Sequence, residues 1–219
     1  MKEYKYIFFD FDGTIVNTIN GTRESALYAL NYFGINENEN KELGRIFCGP
    51  PLKESFSKYN LTDNQVEKAI ILYRDFQANN TIECNEIYDG IREMLHRLKE
   101  KGKKCYIVTA KLEETAKKIL QFLEIFDYFD LIVGATSDGS RNKKVEIMKY
   151  AIENVKNYSS KNAIMIGDRP SDIKAGISNN MDTIGVLYGT DTKENLSNAG
   201  ATYLVNTPKE IIEIVNNKK

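Results

Sequence analysis

The run Tyr4-Lys5-Tyr6-Ile7-Phe8-Phe9 leads directly into Asp10-Phe11-Asp12-Gly13-Thr14. Aromatic and β-branched residues over this length read as a buried strand, and the carboxylates that stop it mark the strand's polar carboxyl end. Similar apolar runs recur at Cys105-Tyr106-Ile107-Val108, Leu131-Ile132-Val133, Ala163-Ile164-Met165-Ile166, Thr183-Ile184-Gly185-Val186 and Tyr203-Leu204-Val205. Helical patterns lie between them: Ile91-Met94-Leu95-Leu98, Leu112 to Leu123, Val145-Met148-Ile152-Val155 and Ile211-Ile212-Val215. Strand alternating with helix predicts a parallel sheet with helices on both faces, a Rossmann-like α/β core.

Residues 17–86 break this rhythm. Ala26-Leu27-Leu30-Phe33 and Val66-Ile70-Tyr73 repeat at helical spacing, no convincing strand occurs, and Cys48-Gly49-Pro50-Pro51 separates two helices. The expectation is a small all-helical domain, 17–86, inserted after the first strand of a core made of 1–16 and 87–219.

Composition excludes several classes. Thirty basic residues against 31 acidic ones give a formal net charge of −1, which argues against a nucleic-acid polymer as partner. The cationic clusters Lys101-Gly102-Lys103-Lys104 and Lys218-Lys219 read as solvated ends. Three separated cysteines, Cys48, Cys84 and Cys105, form no metal or disulfide pattern. No stretch reaches the ~20 apolar residues of a membrane span, and a soluble, cytoplasmic chain is expected. The single histidine, His96, falls opposite the apolar stripe of its helix, which removes Ser–His–Asp catalysis and histidine-rich metal sites.

Ligands of open parallel sheets sit at the carboxyl ends of the strands. The polar residues collected there are Asp10, Asp12, Gly13 and Thr14 after the first strand, Thr109 after Ile107-Val108, and Gly167-Asp168-Arg169-Pro170-Ser171-Asp172 after the strand at 163–166. Asp10 and Asp12 project to the same side of an extended chain. Each like-charged pair at 4 Å costs roughly 4 kcal/mol at an effective dielectric near 20. Four carboxylates on one rim therefore need a cation or raised pKa values; a hard divalent cation is the economical solution, and Mg2+ suits best because it takes one or two carboxylates together with water and phosphate. The pair Lys143-Lys144 opens a helix, where a cation opposes the helix dipole by up to ~1 kcal/mol, so one of the two is expected to face the carboxylates or a phosphate.

Asp10-x-Asp12-Gly13-Thr14, Thr109, the lysine and Gly167-Asp168-x-x-x-Asp172, in this order, resemble the haloacid dehalogenase superfamily over nearly the whole chain. The insertion at 17–86 resembles that superfamily's helical cap of the first type. Gly49-Pro50-Pro51-Leu52 and Asp138-Gly139-Ser140-Arg141-x-x-Lys144 resemble its phosphoglycolate phosphatase-like branch, an alignment that selects Lys144 over Lys143. Asn17-Thr18 departs from the Asp-Ser of many capped relatives.

The resemblance implies a Mg2+-dependent phosphatase acting on a small phosphorylated metabolite. Asp10 would be the nucleophile and a metal ligand. Asp12 would be the general acid and base, and its main-chain carbonyl would ligate the metal. Asp168 and Asp172 would complete the metal site, Thr109 and Lys144 would hold the phosphoryl oxygens, and Gly13 and Arg141 would face the substrate. An aspartate at position 12 favours phosphoryl transfer over carbon–halogen cleavage, which needs no acid for its leaving group. Arg23, Arg45, Lys53 and the Gly49-Pro50-Pro51 loop are candidate cap contributors, and Arg169 joins Arg141 beside the core motifs. A phosphomutase or a non-enzymatic phosphoacceptor receiver module are the competing readings.

Overall fold

The computed structural model describes residues 3–216; the Lys218-Lys219 pair lies outside them. The elements run β1 (Tyr6–Phe9), β2 (Val16–Asn17), α1 (Ile19–Tyr32), α2 (Leu43–Phe47), α3 (Leu52–Ser57), α4 (Asp63–Asn80) and β3 (Glu86–Ile87). They continue with α5 (Ile91–Glu100), β4 (Lys104–Leu112), α6 (Glu113–Phe122), β5 (Leu131–Ala135), α7 (Lys144–Glu153) and β6 (Ala163–Gly167). The chain closes with α8 (Pro170–Ser178), β7 (Asp182–Val186), α9 (Lys193–Asn198), β8 (Tyr203–Val205) and α10 (Pro208–Asn216). It divides into two compact units, one of residues 17–86 and one of the remainder.

The larger unit is built on a six-stranded sheet in the order β5-β4-β1-β6-β7-β8, parallel throughout. Every residue of β1 is buried, because a central strand of such a sheet is covered on both faces. Tyr6 and Phe8 face the apolar side chains of α7 and α8, with Phe8 stacked on Tyr106 at 4.9 Å. The strand order reverses at β1. The chain builds outward through β4 and β5, then crosses back to β6 on the other side of β1. That reversal opens a crevice at the carboxyl end of β1, where a parallel sheet places its ligands.

Two helices differ from the sequence expectation. The α6 helix begins at Glu113, because Leu112 still pairs with Ala135 after a register shift that follows Val108. In α7 the buried residues are Ile147, Met148 and Ala151, whereas Val145 is 62% exposed. Lys144 reaches inward at the first position of that helix, and the next residue lies about 100° around the axis. The α5 helix buries Ile91, Met94, Leu95 and Leu98 and leaves His96 exposed.

The smaller unit has its own apolar centre, with Leu27, Leu30 and Phe47 packed against Phe56, Val66 and Tyr73. The α4 helix starts in a reciprocal cap: Thr62 Oγ1 accepts from Gln65 N–H while the side-chain Oε1 of Gln65 accepts from Thr62 N–H. Pro51 stands immediately before α3. The strands β2 and β3 are two residues each and pair with one another, too short to register as strands in the sequence.

Candidate active site

The sheet brings the carboxyl ends of β1, β4 and β6 together and gathers side chains far apart in the sequence. Asp10 leaves β1 with its N–H donated to Ile166 O at 2.8 Å, which fixes the carboxylate against β6. Asp10 Oδ1 accepts from Phe11 N at 2.7 Å and from Lys144 Nζ at 2.7 Å. Lys144 Nζ also donates to Val108 O at 2.7 Å and ion-pairs with Asp172 Oδ1 at 2.9 Å. Of the two adjacent lysines, Lys144 enters the site and Lys143 is exposed.

Asp172, on the first turn of α8, accepts at Oδ2 from Arg169 N at 3.1 Å. A Cβ at Gly167 would collide with that carboxylate. Fully buried Asp168 accepts at Oδ2 from Thr190 N at 2.9 Å and Thr190 Oγ1 at 2.6 Å, and at Oδ1 from Thr14 Oγ1 at 3.3 Å. Gly13 has φ +78°, and a Cβ there would meet the Asp168 carboxylate, so both conformation and space demand glycine.

Oxygens of Asp10, Asp168 and Asp172 lie within 4.8 Å of one another, all buried. Burial, reinforced by the Asp172 charge and opposed by Lys144, raises the Asp10 pKa to about 7. Burial, reinforced by Asp10, raises Asp168 to about 6. Asp172 is also raised, by burial first, with Lys144 pulling the other way. Burial alone would lower the Lys144 ammonium, but the carboxylates of Asp10 and Asp172 outweigh it and hold its pKa above the ordinary value. The Lys144 ammonium thus meets two of the three buried carboxylates, Asp10 and Asp172. Asp172 Oδ1 is buried and is met by the Lys144 ammonium at 2.9 Å. An all-oxygen donor set with surplus negative charge fits a hard divalent cation such as Mg2+.

The Asp12 side chain stands apart from this triad. Its buried Oδ1 lies 3.0 Å from Lys111 Nζ, and among the described residues that ion pair is its polar contact. Lys111 is itself almost fully buried. Thr109 is buried on β4, and its Oγ1 accepts from Lys111 N at 3.1 Å.

Arg141 is placed elsewhere. Its guanidinium donates to Gly134 O at 2.8 Å and to Glu113 Oε2 at 2.6 Å and lies 4.1 Å from the centre of the Tyr150 ring, so its charge serves the loop before α7. Arg169 contributes its main-chain N–H to Asp172. Within the smaller unit, Arg23 binds Asn38 O and Glu24, Arg45 lies 3.7 Å from Glu42, and Lys53 is exposed.

Lys111 and Thr190 are the site residues the sequence reading missed. Lys111 carried little signal, because it lies beyond the apolar run 105–108, in the part of β4 where the register shifts. Thr190 carried none, because only the adjacency of β7 to β6 brings it to Asp168.

Known proteins match this arrangement along most of the chain. The family model for haloacid dehalogenase-like hydrolases matches residues 7–186. The chain is 33% identical to tyrosine-protein kinase PtkA of Mycobacterium tuberculosis over 184 residues, which is 84% of the chain and 62% of that longer relative. It is 30% identical to pyrophosphatase PpaX of Bacillus cereus, covering 96% of each. The crystal structure of a predicted phosphatase from Clostridium acetobutylicum superposes with a TM-score of 0.91 at 39% identity, covering 97% of this chain and 98% of that one. The parallel sheet, the order of the motifs along it and the family match agree, and the chain belongs to the haloacid dehalogenase-like hydrolases.

Proposed function

We propose that this hydrolase is a Mg2+-dependent phosphatase that takes small phosphomonoesters through a phosphoryl-aspartate on Asp10. The observation that carries the reading is Asp10 itself, a buried carboxylate with Oδ1 held by Lys144 and Phe11 N–H beside Asp168 and Asp172. Holding one oxygen leaves the other to be aimed at a reacting atom, which is how a weak nucleophile gains by orientation.

In the first step a carboxylate oxygen of Asp10 bonds to phosphorus and the ester P–O bond breaks. Asp12 delivers a proton to the departing oxygen. In the second step water attacks the same phosphorus, Asp12 takes its proton, and the bond from phosphorus to Asp10 breaks to release inorganic phosphate. Thr109 and Lys144 hold phosphoryl oxygens, and Lys144 offsets charge between Asp10 and Asp172. Asp10, Asp168, Asp172 and the Asp12 main-chain carbonyl would hold Mg2+, which supplies charge neutralisation to the transferring group. Gly13 lets the loop close onto Asp168, and the fixed dipoles of a buried site need no reorganisation during transfer.

The relative described as a pyrophosphatase brings phosphoanhydrides into the candidate substrate class. A Mg2+-supplemented panel of small phosphomonoesters and pyrophosphate, run on wild type and Asp10→Asn, tests the proposal. Free phosphate over many turnovers, lost in EDTA and in Asp10→Asn, is the expected result. An isomerised sugar phosphate without phosphate release assigns a mutase instead, and release undiminished in Asp10→Asn removes Asp10 as nucleophile.

A further inference from the structure

The loop leaving β7 touches the site at three consecutive residues. Tyr188 OH donates to Thr14 O at 3.1 Å, and its ring packs 5.1 Å from that of Tyr88. Gly189 lies so close to Asp168 and Gly13 that a Cβ there would strike the Asp168 side chain and approach Gly13 O to 2.5 Å. Thr190 directs both its N–H and its hydroxyl at one oxygen, Asp168 Oδ2. Thr14, held at its carbonyl by Tyr188, faces the other Asp168 oxygen at 3.3 Å. The four residues close a ring around a fully buried carboxylate, with the short bonds on Oδ2 and the long one on Oδ1.

We propose that Thr190 is a positioning residue whose hydroxyl and N–H engage Asp168 Oδ2, turning Oδ1 toward the metal, and that Tyr188-Gly189-Thr190 is the clamp holding this orientation. The inference rests on the reading that Asp168 ligates a divalent cation. A carboxylate with both oxygens loosely held rotates about its terminal bond; two donors on one oxygen stop the rotation and leave the other lone pairs free. Partners of this kind set ligand orientation and are worth about 10–100-fold in metal affinity. The clamp lies in the loop that leaves β7, the strand neighbouring β6, and its hold on Asp168 rests on the Tyr188 and Thr190 hydrogen bonds and the close approach of Gly189.

The test is Mg2+ and Mn2+ binding by calorimetry on the full chain without substrate, with the thermal midpoint in EDTA recorded as a folding control. Thr190→Val keeps the shape and the N–H but loses the hydroxyl, and it should weaken metal binding by about 10-fold or more. Thr190→Ser restores the hydroxyl and should bind within about threefold of wild type. If Thr190→Val does not fold, Thr190→Ala takes its place. Wild-type affinity in the hydroxyl-free variant, or a loss in Thr190→Ser equal to that in Thr190→Val, overturns the positioning role. Absence of divalent-ion binding by wild type overturns the underlying metal reading and this inference with it.

Discussion

Lys111 and Asp12 form a nearly closed ion pair, 3.0 Å apart, with the lysine side chain 5% exposed. Removing one partner from such a pair leaves a buried charge without compensation. If Asp12 is the proton carrier of the proposed reaction, its placement depends on Lys111. Lys111→Met is therefore expected to lower kcat by about 10–100-fold at saturating Mg2+, less than the roughly 10²–10⁴-fold that general acid–base catalysis itself contributes. Steady-state kinetics checks it, and a kcat equal to wild type would detach Lys111 from the proton-transfer residue. The sequence displayed the carboxylates, Thr109 and the choice of Lys144, because motif spacing and strand ends are local properties. It did not display what Arg141 binds, since the Glu113 that captures it lies 28 positions away on another element.

Helices and strands of this core meet with little tolerance. On α8, Gly176 faces β6 and β7, and a Cβ there would lie 2.5 Å from Thr183 Cγ2 and 2.9 Å from Met165 Cβ. Alanine gains about 1 kcal/mol of helix propensity over glycine, but overpacking a rigid core costs about 1–3 kcal/mol. Thr183 is β-branched and fully buried on a central strand, so it has little room to yield and the packing cost should win. Gly176→Ala is expected to lower stability by about 1 kcal/mol in urea unfolding, and equal or greater stability would contradict the packing. Periodicity exposed all six strands of the sheet because each is a short, dense apolar run. The start of α6 and the rotation of α7 were not visible in the same way: tertiary pairing of Leu112 with Ala135 and the inward reach of Lys144 set them.

Across the whole molecule the charge is nearly balanced, yet the site concentrates negative charge. In the metal-free protein Asp10 and Asp168 are raised from 3.8 to about 7 and about 6. The folded chain thus keeps protons that the unfolded chain releases above about pH 4, and these groups lose stability for the fold as pH rises to about 7. A bound divalent cation competes with those protons and stabilises the folded state by mass action. The Mg2+-induced rise in thermal midpoint should therefore be larger at about pH 7.5 than at about pH 5; an equal rise at both would mean that the buried carboxylates are not the ligands. The most direct measurement on the account as a whole traps the covalent step. Acid-quenching the enzyme during turnover of a phosphoester with Mg2+, reducing the acyl phosphate with borohydride and mapping the peptides by mass should find aspartate converted to homoserine at position 10, and no conversion in Asp10→Asn. Full phosphate release with Asp10 unmodified at every quench time, and equal turnover in Asp10→Asn, would contradict it.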